Sequence, residues 1–222
     1  NITKYMVQNI RKHGGEIRRN AEVKRIIVEK GKGSYVQLAD GTHVYGRNFI
    51  SNMHPVRTLD MTETDLIKQA YRSRVKELEN TISSFIVNIV FKRDAFPHTK
   101  HNYYYQKEGH VWHLAAHTEE NWPLAYSLFF ASSSKTDGYA ESMTILTYMR
   151  FDEVEKLAGT FNTVSNEVER GRDYEEFKTR KAENLINTVE EKFPGIRNAI
   201  KSYYTSTPLS YRDYIGNDDG SM

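Results

Sequence analysis

The chain has 222 residues, with 31 Lys plus Arg against 29 Asp plus Glu, for a formal net charge of +2. A balance so near zero excludes the strong basic field on which non-specific nucleic-acid binding relies, and the absence of Cys removes disulfides, thiolate nucleophiles, Cys-held zinc and iron–sulfur clusters. No apolar run approaches the ~20 residues a membrane-spanning helix needs, so composition describes a globular chain whose one unusual number is its 15 Tyr.

Asn1-Ile2-Thr3-Lys4 leads straight into Tyr5-Met6-Val7, a helix-like face, with neither an initiator Met nor a signal peptide. The other end is turn-like, Asp218-Asp219-Gly220-Ser221-Met222, so the chain is read as an internal piece of a longer protein. Residues 3–13 suit a helix stopped by Gly14-Gly15. Glu22–Val28, Tyr35–Leu38 and Val44-Tyr45 read as strands separated by Gly31-Lys32-Gly33 and Asp40-Gly41, a small meander. Asn48–Asn52 is expected to return to a buried sheet. After His54-Pro55, Thr62 reads as the N-cap of a helix over 63–78.

A strand-rich block follows: Phe85–Phe91, Tyr103–Tyr105, Val111–Leu114, Tyr126–Phe130 and Met143–Tyr148, with turn residues at Pro97, Gly109, Pro123 and Gly138. Its β-branched and aromatic bias predicts an antiparallel sheet of four or five strands. A helix over about 173–192 places Ala182, Leu185, Ile186, Val189 and Phe193 on one stripe and ends at Pro194-Gly195. Tyr203 to Gly216, rich in Thr, Ser and Tyr, reads as neither regular helix nor strand, with a turn at Pro208. The pattern as a whole predicts an α+β fold.

Of the eight histidines, five lie between His98 and His117, and His113 and His117 are four apart. On a helix that spacing would share a face, but the general-base Glu of a zinc-protease helix is missing; on a strand, four residues span ~13 Å, too far for one metal. Metal binding is therefore not expected. Gly31-Lys32-Gly33 lacks the third glycine of a dinucleotide loop and lies between strands, so it is a hairpin turn rather than a phosphate cradle. The aromatics of the sheet block, among them Phe85, Tyr104, Trp112, Tyr126 and Phe129, suit either core packing or the wall of an apolar ligand pocket. In the C-terminal run, adjacent Arg212 and Asp213 have the chemistry to bond opposite partners.

Several short stretches together carry a resemblance. These are Gly14-Gly15-Glu16-Ile17 with Ala21-Glu22-Val23, Asp40-Gly41, Ile50-Ser51-Asn52-Met53-His54-Pro55, Glu191-Lys192-Phe193-Pro194-Gly195, and Thr205-Ser206-Thr207-Pro208-Leu209 through Tyr211-Arg212-Asp213-Tyr214 to Asp219-Gly220-Ser221-Met222. In this order they resemble the middle and late part of the phytoene desaturase, carotenoid isomerase and retinol saturase superfamily of flavoproteins, with the retinol saturase-like branch nearer than the plant-type desaturases.

The resemblance implies an FAD-dependent oxidoreductase that desaturates, saturates or isomerises an isoprenoid or other polyene. It implies a partial Rossmann-like FAD domain over 1–54 (helix, meander and return strand), a substrate domain over 55–205 and a crossover back toward the FAD domain over 206–222. Val23, Ser51 and Asn52 are the implied cofactor-binding residues, and Tyr211, Arg212 and Asp213 the implied substrate-binding residues; no catalytic residue and no metal are assigned. The superfamily's N-terminal glycine-rich motif, the acidic residue that grips the ribose and the C-terminal FAD segment are absent, so this chain alone is expected to be inactive and to lack tight FAD binding. The implied partner is an apolar small molecule, with no nucleic acid. A cytoplasmic location is expected, and because apolar substrates partition into bilayers, a peripheral membrane contact of the parent stays open, as does the oligomeric state. Two other readings stay open: a non-catalytic lipid or isoprenoid-binding module, and a protein-interaction domain.

Overall fold

The computed structural model describes residues 2–107, 109, 112–131, 138–163 and 166–222. They form two compact units, Asn1–Leu78 and Glu79–Met222. Helices and two largely antiparallel sheets make an α+β fold, as expected.

The first unit opens with helix α1 (Ile2–Lys12), closed by Gly14 at φ 79°, where the left-handed backbone favours glycine. Strands β1 (Val23–Glu29), β2 (Lys32–Leu38) and β3 (His43–Tyr45) form the predicted meander. Asn48–Asn52 is not a strand, and Ile50 is 98% exposed. The parallel neighbour of β1 is instead β4 (Thr62–Glu63), paired at Ile26 and Ile27 and stapled by an Arg25–Glu63 ion pair.

The helix expected over 63–78 is cut short, and a separate helix precedes it. Pro55 sits in the first turn of α2 (Pro55–Met61), Thr62 closes that helix instead of starting one, and α3 is only Gln69–Lys76. Pro55 acts as a start signal because its missing N–H would be unbonded there anyway. Among the described residues of this unit only Leu38 and Leu59 are buried hydrophobics, while Ile2, Met6, Ile50 and Leu66 are exposed.

The second unit holds the core. Strands β5 (Ser83–Phe91), β6 (Tyr103–Gln106), β7 (Ala125–Phe130), β8 (Ser142–Met149) and β9 (Ile200–Ser206) form one antiparallel sheet in the order β6-β7-β8-β5-β9. Helix α4 (Arg172–Glu190) follows the apolar stripe read from sequence. Its Phe177, Ala182, Leu185, Ile186 and Val189 join Phe85, Val87, Leu128 and Ile145 of the sheet in a single buried cluster. Each such large side chain contributes roughly 1.5–3 kcal/mol by leaving water. Gly195, at φ 91°, turns the chain into the short helix α5 (Ile196–Ala199), where Glu190 accepts from the Gly195 and Arg197 amides at 2.8 Å each.

Two expectations fail here. The strand expected over Val111–Leu114 is not found among the described residues: Val111 lies outside them, and Leu114–Ala116 is a 3-10 turn. The run from Tyr203 to Gly216 is regular, since β9 ends at Ser206 and helix α6 (Pro208–Ile215) follows. Thr207 is the N-cap, its hydroxyl accepting from the Leu209 amide at 3.2 Å, and Pro208 occupies the first helical turn instead of making an isolated turn.

Candidate functional site

The alternation of each strand in the second unit separates two faces of the sheet. One packs on α4. The other is set out by the registers in rows that cross the strands: Ser84 beside Tyr148 and Ala125 beside Gln106; then Ser206, Ile86, Leu146, Ser127 and Tyr104; then Tyr204, Asn88, Thr144 and Phe129; then Ser202, Val90 and Ser142. Most of these are half-buried or exposed. None is charged, although 27% of the chain is. A water-facing sheet face normally carries Lys, Glu and Arg. This one carries hydroxyls, amides, aliphatics and aromatic rings, including a Tyr104–Phe129 edge contact at 6.1 Å and a Thr144 hydroxyl donating to Asn88 at 2.8 Å. At one end a cleft of about 140 Å³ lies among Tyr104, Leu114, Leu146 and Tyr148. Beside Tyr148 on the neighbouring strand, the Ser84 hydroxyl shares a hydrogen bond of 2.7 Å with the Tyr211 hydroxyl.

Tyr211 belongs to α6, as do the other two substrate-binding candidates, so the fold places all three on one helix. Their roles differ. The Asp213 side chain is fully buried and ion-paired to both Arg170 and Arg212, and it accepts from the Asn162 amide at 2.5 Å. Both arginines also donate to the Thr160 carbonyl, and Arg212 donates to the Ala158 carbonyl at 3.0 Å. Asp213 therefore ties the segments at 158–162 and Arg170 to α6, while Tyr211 reaches the uncharged face. Beyond α6, the chain runs beside the start of β5: Ser83 donates to the Gly220 carbonyl at 2.5 Å, Thr81 to the Met222 carbonyl at 3.0 Å, and Asn80 to Asp219 at 2.8 Å.

The cofactor candidates lie in the first unit. Val23 opens β1, whose one edge is paired along its length by β2 and whose other is covered by β4 only at Ile26 and Ile27. Beside it is a cavity of about 450 Å³ whose lining includes Arg18, Asn20, Ala21, Glu22, Ala39 and Asp40. Ser51 and Asn52 are exposed, and the Ser51 hydroxyl meets that of Thr58 at 2.7 Å.

Sequence reasoning missed a buried ionic cluster. Lys181, 1% exposed, reaches Glu119 at 2.7 Å and Glu153 at 3.0 Å and lies 4.5 Å above the Trp122 ring. Burial pushes the Glu153 carboxyl up, but hydrogen bonds from His117 and the Arg150 amide, with Lys181 beside it, outweigh burial and hold it at about 2. His117, one of the histidines singled out by spacing, belongs here: Nε2 donates to Glu153 at 2.6 Å and Nδ1 to the Leu114 carbonyl at 3.1 Å. Among the described residues no group of three or more metal-ligating side chains occurs, and no helix is long and apolar enough to cross a membrane.

No family model matches the chain. It is similar to the chloroplastic prolycopene isomerase of Daucus carota, 28% identical over 227 positions that cover 99% of this chain and 34% of that protein. The Arabidopsis thaliana enzyme of the same name is 24% identical, covering 99% of this chain and 35% of that protein. A prolycopene isomerase of an Oncidium hybrid cultivar is also 24% identical, with the same coverage. The chain thus spans about a third of the length of the curated relatives it matches. This likeness supports the carotenoid-related superfamily of the sequence resemblance, at an identity too low to fix the member.

Proposed function

We propose that this chain is part of a flavin-dependent oxidoreductase that acts on a carotenoid-like or other isoprenoid polyene, as a desaturase, saturase or isomerase. One observation carries the reading: the uncharged, half-open face of the five-stranded sheet. A flat, conjugated hydrocarbon gains by leaving water and meets no desolvated charge there, and Tyr104, Phe129 and Tyr148 offer ring faces to its double bonds. The likeness to prolycopene isomerases points to the same ligand class.

The chain's own residues divide the work. The uncharged face aligns the polyene and excludes water. Tyr211 borders that face through Ser84, while Arg212 and Asp213 act behind it by fixing α6 against residues 158–162 and Arg170. Val23 would meet the adenine end of FAD through the open backbone edge of β1, next to the cavity at Arg18 and Asn20, and Ser51 and Asn52 would approach from the following segment. Among the described residues β4 pairs with that edge only at Ile26 and Ile27, which leaves room beside Val23 for a planar heterocycle. When bound, the flavin supplies hydride chemistry at an allylic carbon. In the parent, residues 1–54 serve the cofactor, 55–205 the substrate and 206–222 lead back toward the cofactor; peripheral contact with a membrane would deliver so apolar a ligand.

The test is made on the polypeptide encoded by the full reading frame. Its visible spectrum should show about one flavin per chain, and anaerobic incubation with cis and trans polyenes should change their absorption. A colourless, folded protein that takes up polyenes but refuses FAD would overturn the enzyme reading and leave a ligand-binding module.

A further inference from the structure

The two edges of the five-stranded sheet are unlike. β6, at one edge, is four residues long, and short edge strands resist unwanted pairing. β9, at the other, is seven residues long and, among the described residues, bonds to β5 on one side only. Edges left to face water are usually blunted by charge, proline or bulges. β9 has a bulge and Lys201 at its start, but Ser202-Tyr203-Tyr204-Thr205-Ser206 has neither charge nor proline and its register with β5 is regular. It is an edge prepared for pairing.

Beside it the molecule is hollow. A trench of about 620 Å³ lies between the β9 residues Thr205 and Ser206 and a wall that includes Tyr174, Lys178 and Ser210. A second hollow of about 280 Å³, between Tyr203, Tyr204 and Thr205 on one side and α4 on the other, shares Glu175, Lys178 and Thr205 with the first. The pair runs alongside the strand, where a further strand about 4.8 Å away would lie. Its charge is lopsided. Its lining carries Glu167, Glu169 and Glu175 against Arg170 and Lys178; Arg170 shares Asp213 with Arg212 and Lys178 pairs with Glu175, whereas Glu167 and Glu169 have no ion partner among the described residues.

We propose that β9 is an acceptor edge: an extended segment of the parent polypeptide, outside these 222 residues and carrying Lys or Arg toward Glu167 and Glu169, adds to the sheet as a sixth strand. Curated relatives about three times as long as this chain have the length to supply it. The proposal rests on the chain being part of such a parent, not on the parent's chemistry. Added main-chain bonds would complete the sheet, and the incoming side chains would fill the trench against Asn162 and residues 167–170.

The experiment uses the full-length polypeptide carrying a photo-reactive p-benzoylphenylalanine in place of Thr205, or of exposed Lys201 where the first variant does not fold. Irradiation should give an intramolecular cross-link to a Lys- or Arg-bearing segment outside residues 1–222. In hydrogen exchange, the β9 amides that point away from β5 should be protected within tenfold of those bonded to β5. A cross-link to a second copy, cross-links confined to residues 1–222, or outward amides exchanging more than a hundredfold faster would overturn the proposal. Flavin content of the same sample separates the two readings. Flavin-loaded protein with an open edge defeats only the added strand; colourless protein with the cross-link defeats only the enzyme reading.

Discussion

Glu153 accepts from His117 Nε2 at 2.6 Å, joining residues 36 apart in the chain at the edge of the core. The same carboxylate oxygen accepts from the Arg150 amide at 3.0 Å, and the other oxygen receives Lys181 at 3.0 Å. The Arg150 guanidinium in turn donates to the Ala115 and His117 carbonyls at 3.0 and 2.7 Å. The turn carrying Leu114, which borders the cleft on the uncharged face, is thus tied to the core through the His117–Glu153 contact and the Arg150 guanidinium.

This cluster predicts an acid-labile core. The Glu153 carboxyl titrates at about 2 in the folded chain against an ordinary 4.5, so its stabilisation is complete above about pH 4.5 and is lost as the pH falls toward 2. The difference corresponds to about 3 kcal/mol. Urea unfolding should show that decline between pH 4.5 and 2 in the wild type. Glu153→Gln should be less stable at pH 7 and should lose about 3 kcal/mol less than the wild type over the same window, the remaining decline belonging to other carboxylates held low by their partners, such as Glu190 and Asp219.

Asp213 makes a second buried ionic node, with Arg170 and Arg212 side chains only 5% and 13% exposed. Asp213→Asn leaves two guanidiniums without a counter-charge and should cost about 3–5 kcal/mol, because removing one partner strands the other in low dielectric. Urea midpoints check this. The paired change Arg170→Met with Asp213→Leu should recover part of the loss; a midpoint for Asp213→Asn equal to the wild type would contradict the clamp.

Two glycines near the C-terminal end separate space from backbone angle. Gly216 closes α6 at φ 90° with nothing near the place of a Cβ, so Gly216→Ala should cost about 1 kcal/mol from the left-handed backbone alone. At Gly220, φ 60°, a Cβ would overlap the Pro208 carbonyl. Gly220→Ala must displace the strap from the first turn of α6, and should cost at least twice as much as Gly216→Ala. Faster exchange of the Ser221 and Met222 amides, and faster proteolysis of the last residues, would report the displacement.

Much of this architecture was legible because it repeats. The stripe on α4 and the alternation of β5, β7 and β8 recur often enough to identify their elements. Features set by one residue were harder to read. The sequence reads Pro208 as a turn and starts no element at Pro55, whereas each stands in the first turn of a helix, at Pro208 with Thr207 as its N-cap. The two-residue β4 exists only through its pairing with β1 and leaves no periodic trace. Lys181 lies among apolar positions of α4, yet Glu119 and Glu153, 62 and 28 residues away, give no local sign that they neutralise it. For the site, the sequence names Tyr211, Arg212 and Asp213 as neighbours in one run, but their different surroundings come from partners far away in the chain: Tyr211 meets Ser84, while Asp213 is enclosed with Arg170.

The sharpest prediction concerns the neighbours Ile145 and Leu146, which point to opposite faces of β8. Ile145 is 0% exposed inside the cluster under α4, so Ile145→Ala should cost about 2–5 kcal/mol through lost transfer energy and the cavity left behind. Leu146 sits in the uncharged row between Ile86 and Ser127 and is only half-buried. Leu146→Glu should cost less than about 1.5 kcal/mol, because the new carboxylate keeps access to water. In the full-length protein it should nevertheless lower polyene uptake at least tenfold, since a bound hydrocarbon would bury that charge, while Leu146→Met should retain uptake. Unfolding measurements and absorbance titrations with a polyene test the two halves separately. Unchanged uptake by a folded Leu146→Glu protein would remove the uncharged face from the binding site.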